Sequence, residues 1–229
     1  MSELVIPAPP PPVVPVAGGE FFFPVRRVFC VGRNYADHAR EMGHDPQREP
    51  PFFFTKPADA LVIAGADTPY PPATADLHHE IELVVAIGKE ATGVAAAQAL
   101  DCVWGYAAGI DLTRRDLQAE AKRLARPWDM AKAFDCSAPI GELVPAARIG
   151  HPSSGRVALT VNGTLRQDGD LAEMIWPVPD AIAFLSALVT LMPGDLVFTG
   201  TPAGVAAIVR GDRLEGSIAG VGTVTTTIV

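Results

Sequence analysis

Two glutamates, Glu80 and Glu82, lie two residues apart in a segment that otherwise has the composition of an apolar strand. Side chains two apart on a strand point to the same face, so we expect the two carboxylates to be neighbours. Residues 83–87, which follow, are apolar on both faces. Two like charges that enter a partly buried region cannot both stay ionised without a counter-charge, and a bound cation would supply one. The alternative is a pair of solvated acids at the start of a strand.

A third carboxylate, Asp111, ends a predicted strand over residues 102–110, next to glycines that let a ligand approach the backbone. Its alternative role is in the cap of the following helix. Three carboxylates without clustered cysteines suit a hard cation such as Mg²⁺, Mn²⁺ or Ca²⁺ rather than structural zinc. His78 is expected on the same face as Glu80 and Glu82, either as an outer partner of this site or as a solvated residue.

Two other segments carry groups suited to proton and charge chemistry. His38 and Glu41 are three apart in a predicted helix over residues 35–42, so they share a face and can pair. A carboxylate beside an imidazole raises its basicity and fixes its tautomer, as a water-activating general base requires. The alternative is a solvated surface pair. Lys132 lies in the apolar, aromatic segment 126–135. A buried ammonium there would need an anion as its partner. The alternative is a surface lysine whose alkyl stem packs on the apolar residues while its charge stays in water.

The elements that must position these groups are mostly short strands. The apolar patterns and turn residues predict strands at 25–31, 52–57, 80–88, 102–110, 196–199, 213–218 and 222–229, a hairpin at 156–166, and helices at 35–42 (stopped by Gly43), 93–100, 113–124 and 178–190. The third helix is expected to open with a capping box at residues 113–116, and the hairpin to turn at Asn162-Gly163. The glycine-rich segment 198–205 matches no phosphate loop and is a turn or a ligand-binding loop. Strands without regular βαβ alternation predict a sheet-dominated α+β fold with short helices.

Composition limits the function and the domain organisation. The 229 residues carry a net charge of -8 and no basic run, which argues against nucleic-acid binding. We expect no membrane span and no signal peptide. The three cysteines, an odd number without a CxxC motif, favour a reduced, cytoplasmic protein. Residues 1–24 hold seven prolines and are predicted to be an extended arm, on the surface or loosely ordered, before a single domain at 25–229.

Five segments of the chain resemble the fumarylacetoacetate hydrolase family, and they stand in the family's order. They are residues 29–38 (FCVGRNYADH), 79–83 (HEIEL), 109–118 (GIDLTRRDLQ), 132–135 (KAFD) and 198–202 (FTGTP). Segments 23–27 and 40–46 are similar to the bacterial fumarylpyruvate hydrolases of gentisate breakdown. We expect no counterpart of the separate N-terminal domain of the longer fumarylacetoacetases, which makes the chain similar to the short acylpyruvate hydrolases.

The resemblance implies a mixed β-sandwich roll for the catalytic domain, a homodimer, and specific roles for residues. Glu80, Glu82 and Asp111 would hold Mg²⁺ or Mn²⁺, His38 and Glu41 would form a catalytic pair on a lid helix, Lys132 and Gln118 would lie near the substrate, and Thr201 would lie near its carboxylate. Charge alone makes Arg33, Arg40 and Arg48 candidates to pair a distal carboxylate. The expected reaction is cleavage of a carbon–carbon bond in an acylpyruvate, 3-fumarylpyruvate giving fumarate and pyruvate. Oxaloacetate decarboxylation, an isomerase reaction, or a silent metal-stabilised binding protein are the alternatives.

Overall fold

The computed structural model describes residues 4–41, 50–63 and 65–229, except for the side chains of Ala39 and Glu41. The strands are β1 (Val13–Pro15), β2 (Phe22–Pro24), β3 (Arg27–Gly32), β4 (Phe52–Lys56), β5 (Leu61–Ile63), β6 (Leu77–His78), β7 (Ile81–Ile87), β8 (Val103–Ile110), β9 (Thr113–Arg114), β10 (Ala138–Ile140), β11 (Val144–Pro145), β12 (Arg156–Val161), β13 (Thr164–Asp170), β14 (Asp195–Phe198), β15 (Ala207–Ile208), β16 (Arg213–Ile218) and β17 (Gly222–Thr227). The helices are α1 (Ala36–Glu41), α2 (Ala96–Ala99), α3 (Arg115–Arg123), α4 (Asp129–Lys132), α5 (Ala146–Ile149) and α6 (Val178–Leu188).

The strands form one large mixed sheet and a smaller antiparallel sheet that packs on it. The large sheet has the order β4-β3-β14-β7-β8-β10-β5, with β11 also paired to β8. The β14–β3 and β10–β5 pairs are parallel, and the other pairs are antiparallel. The second sheet has the order β13-β12-β16-β17, and a third small sheet joins β15, β6 and β9. The predicted sheet-dominated α+β fold is confirmed.

Strand β7 lies at the centre of the molecule and is buried at every residue, because both of its faces pack on apolar layers. On one face, Ile81 meets β16 so closely that a Cβ on Gly216 would lie 2.5 Å from the Ile81 Cδ1 atom. On the other face, Val84 belongs to an apolar cluster with Val14 and Phe23 of the β1–β2 hairpin. Side chains at even-numbered positions of β7, Glu82 among them, therefore face this second cluster.

The proline-rich segment 1–24 differs in part from its prediction. Residues 4–11 are exposed, as expected of an arm, but residues 13–24 fold back as the β1–β2 hairpin. Val14 is fully buried, and the Ala17 N–H donates a hydrogen bond to the Leu143 carbonyl over 2.9 Å. The prolines in both strands are tolerated because a two-stranded sheet has only edge strands.

The capping box predicted at residues 113–116 is wrong. Thr113 lies in β9, paired with β6, and α3 has Arg114 as its N-cap without a side-chain hydrogen bond. The Asp116 carboxylate instead accepts hydrogen bonds from the Thr74 hydroxyl, at 2.7 Å, and the Ala75 N–H, at 3.0 Å. The local pattern was outweighed because strand pairing fixed the Thr113 backbone in an extended conformation.

Most of the other predicted elements are confirmed. The Asn162-Gly163 hairpin turns with φ of 52° and 76°, the left-handed values that a type I′ turn needs at both positions. Helix α1 begins at Ala36, and its predicted stop at Gly43 lies outside the described residues. None of the described helices has the length and apolar character needed to cross a membrane.

Candidate active site

Three carboxylates converge at one end of the β7–β8 pair. Glu80 directly precedes β7, Glu82 lies within it, and Asp111 directly follows β8. Antiparallel pairing aligns the two strand ends, and the Asp111 N–H donates to the Glu80 carbonyl at 2.8 Å. All three side chains are buried, and one ligand atom of each lies within 4.8 Å of the others. Asp111 therefore belongs to this cluster rather than to the cap of α3.

Three cations surround two of these acids. The Lys132 Nζ atom lies 2.8 Å from the Glu80 Oε2 atom and 2.7 Å from the Asp111 Oδ2 atom. The second Asp111 oxygen lies 2.8 Å from the Nζ atom of Lys56, which is also buried. Arg115 Nη2 lies 2.6 Å from the Glu80 Oε1 atom. The Lys132 ammonium is therefore buried and paired with two anions, as expected for a site lysine rather than a surface lysine.

Glu82 is the carboxylate left without an ion pair among the described residues. It accepts one hydrogen bond from the Gly200 N–H, at 2.7 Å. Gly200 has a φ of +93°, and a Cβ there would lie 2.7 Å from the Cβ of Asn34, so this close approach of the loop needs glycine. Gly200 therefore brings the 198–202 loop into direct contact with the cluster.

The pKa values of Glu80 and Glu82 shift in opposite directions because different charges surround the two carboxyl groups. Burial, together with the charges of Asp111 and Glu80, raises the pKa of Glu82 well above its ordinary value. Burial also disfavours the ionised form of Glu80, but Lys132 and Arg115 outweigh it and lower the pKa of that carboxyl. One acid of three is thus insufficiently compensated, and carboxylate oxygens are the ligands that hard divalent cations prefer. The donor set fits Mg²⁺ or Mn²⁺.

A fully buried glutamine, Gln167, joins the start of β7 to the 200–202 loop. Its Oε1 accepts from the His79 Nδ1–H, at 2.9 Å, and from the Ile81 N–H, at 3.1 Å. Its Nε2 donates to the Thr201 hydroxyl, at 2.8 Å, and to the Pro202 carbonyl, at 2.9 Å. The Thr201 hydroxyl in turn donates to the Ile81 carbonyl, at 2.7 Å. These bonds use every polar atom of the amide and fix the backbone between Glu80 and Glu82.

His38 is buried on α1 and lines the same cavity as the three carboxylates. The turn before α1 is held by Asn34, which donates to the Trp176 and Thr199 carbonyls and accepts from the Trp176 N–H. Glu41 also lies in α1, but its side chain is outside the described part of the chain. The catalytic pairing of His38 with Glu41 therefore stays a prediction.

The three residues predicted to contact substrate all line this cavity: Gln118, Arg33 and Thr201. Gln118 is buried, and its Oε1 accepts from Arg115 at 2.7 Å. Arg33 has a φ of +57°, a left-handed conformation, and its guanidinium lies 5.2 Å from the Phe52 ring centroid. The Thr201 hydroxyl already has a donor and an acceptor within the protein, as described above.

Two of the remaining candidates, His78 and Arg40, are not among the described residues that line the cavity. The His78 Nε2 atom lies 2.8 Å from an Asp76 oxygen. Arg40 forms an ion pair with Asp37, and Arg48 lies outside the described residues. The interpretation of His78 as an outer partner of the carboxylates has no contact to support it.

Three basic residues of the site were not predicted from the sequence. Lys56 and Arg115 pair with the carboxylates, and Lys122 lines the cavity. Lys56 is two residues after Phe54 on β4, so the two share a face, and a lysine on the inner face of an aromatic strand was an available signal. Arg115, Gln118 and Lys122 all line the cavity. Their spacing of three and four residues puts them on one side of α3, a helical pattern that was also readable.

A second cavity, of about 550 Å³, adjoins the first. The two cavities share four lining residues, Arg33, Phe54, Trp128 and Lys132. Trp128 contacts two aromatic rings here, with ring centroids 5.2 Å from Phe52 and 6.0 Å from Phe54. The cavity that the carboxylates line therefore adjoins a larger space with an aromatic wall.

Comparison with known proteins gives close matches over nearly the whole chain. The family model for "Fumarylacetoacetate (FAA) hydrolase C-terminal" matches residues 27–229. The crystal structure of fumarylpyruvate hydrolase from Pseudomonas aeruginosa in complex with Mn²⁺ and pyruvate is 50% identical, with a TM-score of 0.98 over 99% of both chains. Fumarylpyruvate hydrolase from a Ralstonia species is 43% identical over 184 residues, which are 80% of this chain and 95% of that one. The human mitochondrial oxaloacetate tautomerase FAHD1 is 43% identical over 195 residues, 85% of this chain and 88% of its own.

Proposed function

Because the chain belongs to the fumarylacetoacetate hydrolase family, we propose that it is a metal-dependent acylpyruvate hydrolase that converts 3-fumarylpyruvate to fumarate and pyruvate. The observation that carries the proposal is the buried carboxylate cluster, with one acid left uncompensated, in a cavity that adjoins a second one large enough for an acyl chain. The similar Pseudomonas enzyme, whose structure holds Mn²⁺ and pyruvate, supports both the cation and the pyruvyl product.

Glu80, Glu82 and Asp111 would hold the divalent cation, Mg²⁺ or Mn²⁺. When bound, such a cation supplies Lewis-acid polarisation of the oxygens of the pyruvyl group. Arg115 and Lys56 orient the Glu80 and Asp111 carboxylates through the Oε1 and Oδ1 atoms, respectively, because charged hydrogen bonds hold a carboxylate in one geometry. The three acids are thus presented without a rearrangement of the strands.

His38 is the proposed general base. It lies in the cavity that the carboxylates line, and it would take a proton from water as the water oxygen bonds to the distal 4-oxo carbon of the substrate. The bond between the third and fourth carbons then breaks. Fumarate leaves with the water oxygen, and the pyruvyl fragment is left with the electron pair. The proton taken by His38 balances the reaction when it is returned to the third carbon, giving pyruvate.

Lys132 is proposed to stabilise the negative charge that develops on the pyruvyl fragment. Its ammonium is held between Glu80 and Asp111, and these two charges outweigh the opposing effect of burial and raise its pKa. A positive charge fixed in a buried site acts on developing negative charge more strongly than it would in water, and it needs no reorganisation during the reaction.

A reaction on oxaloacetate is the second candidate, because the human relative that is 43% identical is an oxaloacetate tautomerase. The predicted alternative, oxaloacetate decarboxylation, and an isomerase reaction would use the same residues without an attacking water. The aromatic-walled cavity of about 550 Å³ beside the carboxylates favours the longer acylpyruvate, since oxaloacetate has no acyl arm to fill it.

A product assay separates these candidates. The protein with Mg²⁺ or Mn²⁺ is given 3-fumarylpyruvate or oxaloacetate, and fumarate, pyruvate and carbon dioxide are measured. The ultraviolet absorbance of the oxaloacetate enol is followed as well, because tautomerisation releases none of these three products. The proposal expects fumarate and pyruvate in equal amounts and loss of turnover in excess EDTA. Efficient turnover of oxaloacetate alone, or full activity in EDTA, would overturn it. The homodimer and a role in aromatic catabolism stay predictions of the family resemblance, and the cytoplasmic location stays a prediction from the cysteines.

A further inference from the structure

We infer that Lys122, on the cavity side of α3, binds the distal carboxylate of the substrate and so selects acylpyruvates whose acyl group ends in an anion. The inference rests on the proposed function, because it assigns the far end of the same substrate. It gives the site a specificity residue, separate from the groups that act at the reacting carbons.

Lys122 lies at the outer end of a series of contacts that starts at the carboxylate cluster. Lys132, between Glu80 and Asp111, has its Nζ atom 5.1 Å from the Phe54 ring centroid. The Phe54 ring centroid lies 6.0 Å from that of Trp128, and the Lys122 Nζ atom lies 5.2 Å from the Trp128 ring centroid. The two ammonium groups thus lie against the aromatic wall formed by Phe54 and Trp128, and Lys122 also lines the cavity that holds the proposed metal ligands. An acyl arm bound along these rings would end at this lysine.

Lys122 also differs from its neighbours on the same helix face in having no acid to pair with. Arg115 is bound to Glu80 and Gln118, but no carboxylate of the described residues lies within ion-pair distance of Lys122. The side chain is half-buried, so its charge has lost part of its hydration without gaining an anion. Burial, with the charges of Arg33 and Arg115, lowers the pKa of Lys122 to about 8. A bound anion would relieve this strain.

The charges around the cavity favour a doubly negative substrate. Lys56, Lys132 and Arg115 equal the three carboxylates in formal charge, although Glu82 has no ion pair among the described residues, so a bound divalent cation would add positive charge in excess. Arg33 and Lys122 line the same cavity and add more. The carboxylate of the pyruvyl group would neutralise part of this positive charge, and a second carboxylate at the acyl end would neutralise more of it.

The test compares two substrates that share the pyruvyl group, 3-fumarylpyruvate and acetylpyruvate, whose acyl group has no charge. Lys122→Met keeps an apolar stem on Trp128 and removes the charge, whereas Lys122→Arg keeps the charge. Arg123→Met removes a charge from an exposed position of α3 that does not line the cavity, and it serves as the matched control.

We expect Lys122→Met to lower the ratio of kcat/KM for 3-fumarylpyruvate to kcat/KM for acetylpyruvate by about 10- to 100-fold, the range for loss of a charged hydrogen bond. Lys122→Arg should recover most of the ratio, and Arg123→Met should leave it unchanged. An equal loss on both substrates would mean that Lys122 only packs on Trp128, and an unchanged ratio would mean that it does not touch the anion. Either result overturns the inference. A wild-type protein that turns over neither compound refutes the proposed function itself, and the inference falls with it.

Discussion

Replacing Glu82 with glutamine should have opposite effects with and without a divalent cation. In the absence of the cation, Glu82 is buried near two other acids, and its pKa is raised by burial and by Asp111 and Glu80. A neutral side chain of the same shape removes this repulsion. Its Oε1 can still accept the Gly200 N–H, and its NH₂ group has carboxylate acceptors within the cluster. Glu82→Gln should therefore stabilise the metal-free protein while it weakens cation binding.

The size of the effect follows from the geometry and from the protonation of Glu82. The ligand oxygens lie within 4.8 Å of one another, and two unit charges at that distance repel by about 3.5 kcal/mol at an effective dielectric constant of about 20. Protonation limits this gain, because a carboxyl of ordinary pKa 4.5 avoids the repulsion by staying protonated, which costs at most about 3.4 kcal/mol at pH 7. This cost is the ceiling for the effect, and imperfect hydrogen bonding of the new amide reduces the expected gain to about 2–3 kcal/mol.

The sign of the pH dependence is also defined. Because the folded-state pKa of Glu82 is raised, the folded protein binds more protons than the unfolded chain above pH 4.5. The stability of the metal-free wild type should therefore fall as pH rises through this window, with a slope of up to about 1.4 kcal/mol per pH unit. The difference between Glu82→Gln and wild type should be below about 1 kcal/mol at pH 5 and larger at pH 7.

The assay is chemical denaturation at pH 5 and pH 7, in EDTA and in excess Mn²⁺. A cation at a hundred times its Kd should stabilise the wild type by about 2.7 kcal/mol and the variant by less. Glu120→Gln, at an exposed position of α3, is the control and should change stability by less than about 0.5 kcal/mol under every condition. If Glu82→Gln were less stable than wild type in EDTA at pH 7, or gained as much from Mn²⁺, the electrostatic reasoning would be refuted.

Three further predictions concern buried groups around the site. Gln167→Leu should lower the free energy of unfolding by about 3 kcal/mol, because the four buried groups that bond to its amide lose that partner. Chemical denaturation checks this, with Gln98→Leu at an exposed position as the control. Lys56→Met should cost about 1–3 kcal/mol in the same assay, because one Asp111 oxygen loses its cation while Lys132 still pairs with the other, and unchanged stability would contradict the Lys56 pairing. His38→Ala should lower kcat by ~10²–10⁴ with little change in KM, and an unchanged kcat in steady-state kinetics would remove His38 from the proposed mechanism.

Local chemistry was enough to predict the parts of this protein that depend on neighbours in sequence. The two-residue period of a strand put Glu80 and Glu82 side by side, and Asn162-Gly163 specified its hairpin because few other residues accept positive φ at both turn positions. Local patterns also made Asp111 and Lys132 candidates, and the ordered family segments added Gln118; all three line the same cavity. Local chemistry failed at Thr113, where strand pairing overrode a plausible helix cap.

Tertiary structure decided what depends on contacts between distant segments. The antiparallel register of β7 and β8 aligns Asp111 with Glu80, and no local pattern specifies which strands will pair. Lys56, from β4, reaches Asp111 only because packing brings their segments together. The burial that raises the pKa of Glu82 is likewise a property of the packed sheets rather than of its neighbours in sequence. The sequence by itself therefore determined which acids face one another along a strand. Only the fold decided which cations compensate them, which acid is left without an ion pair among the described residues, and which lysine of α3 lines the cavity.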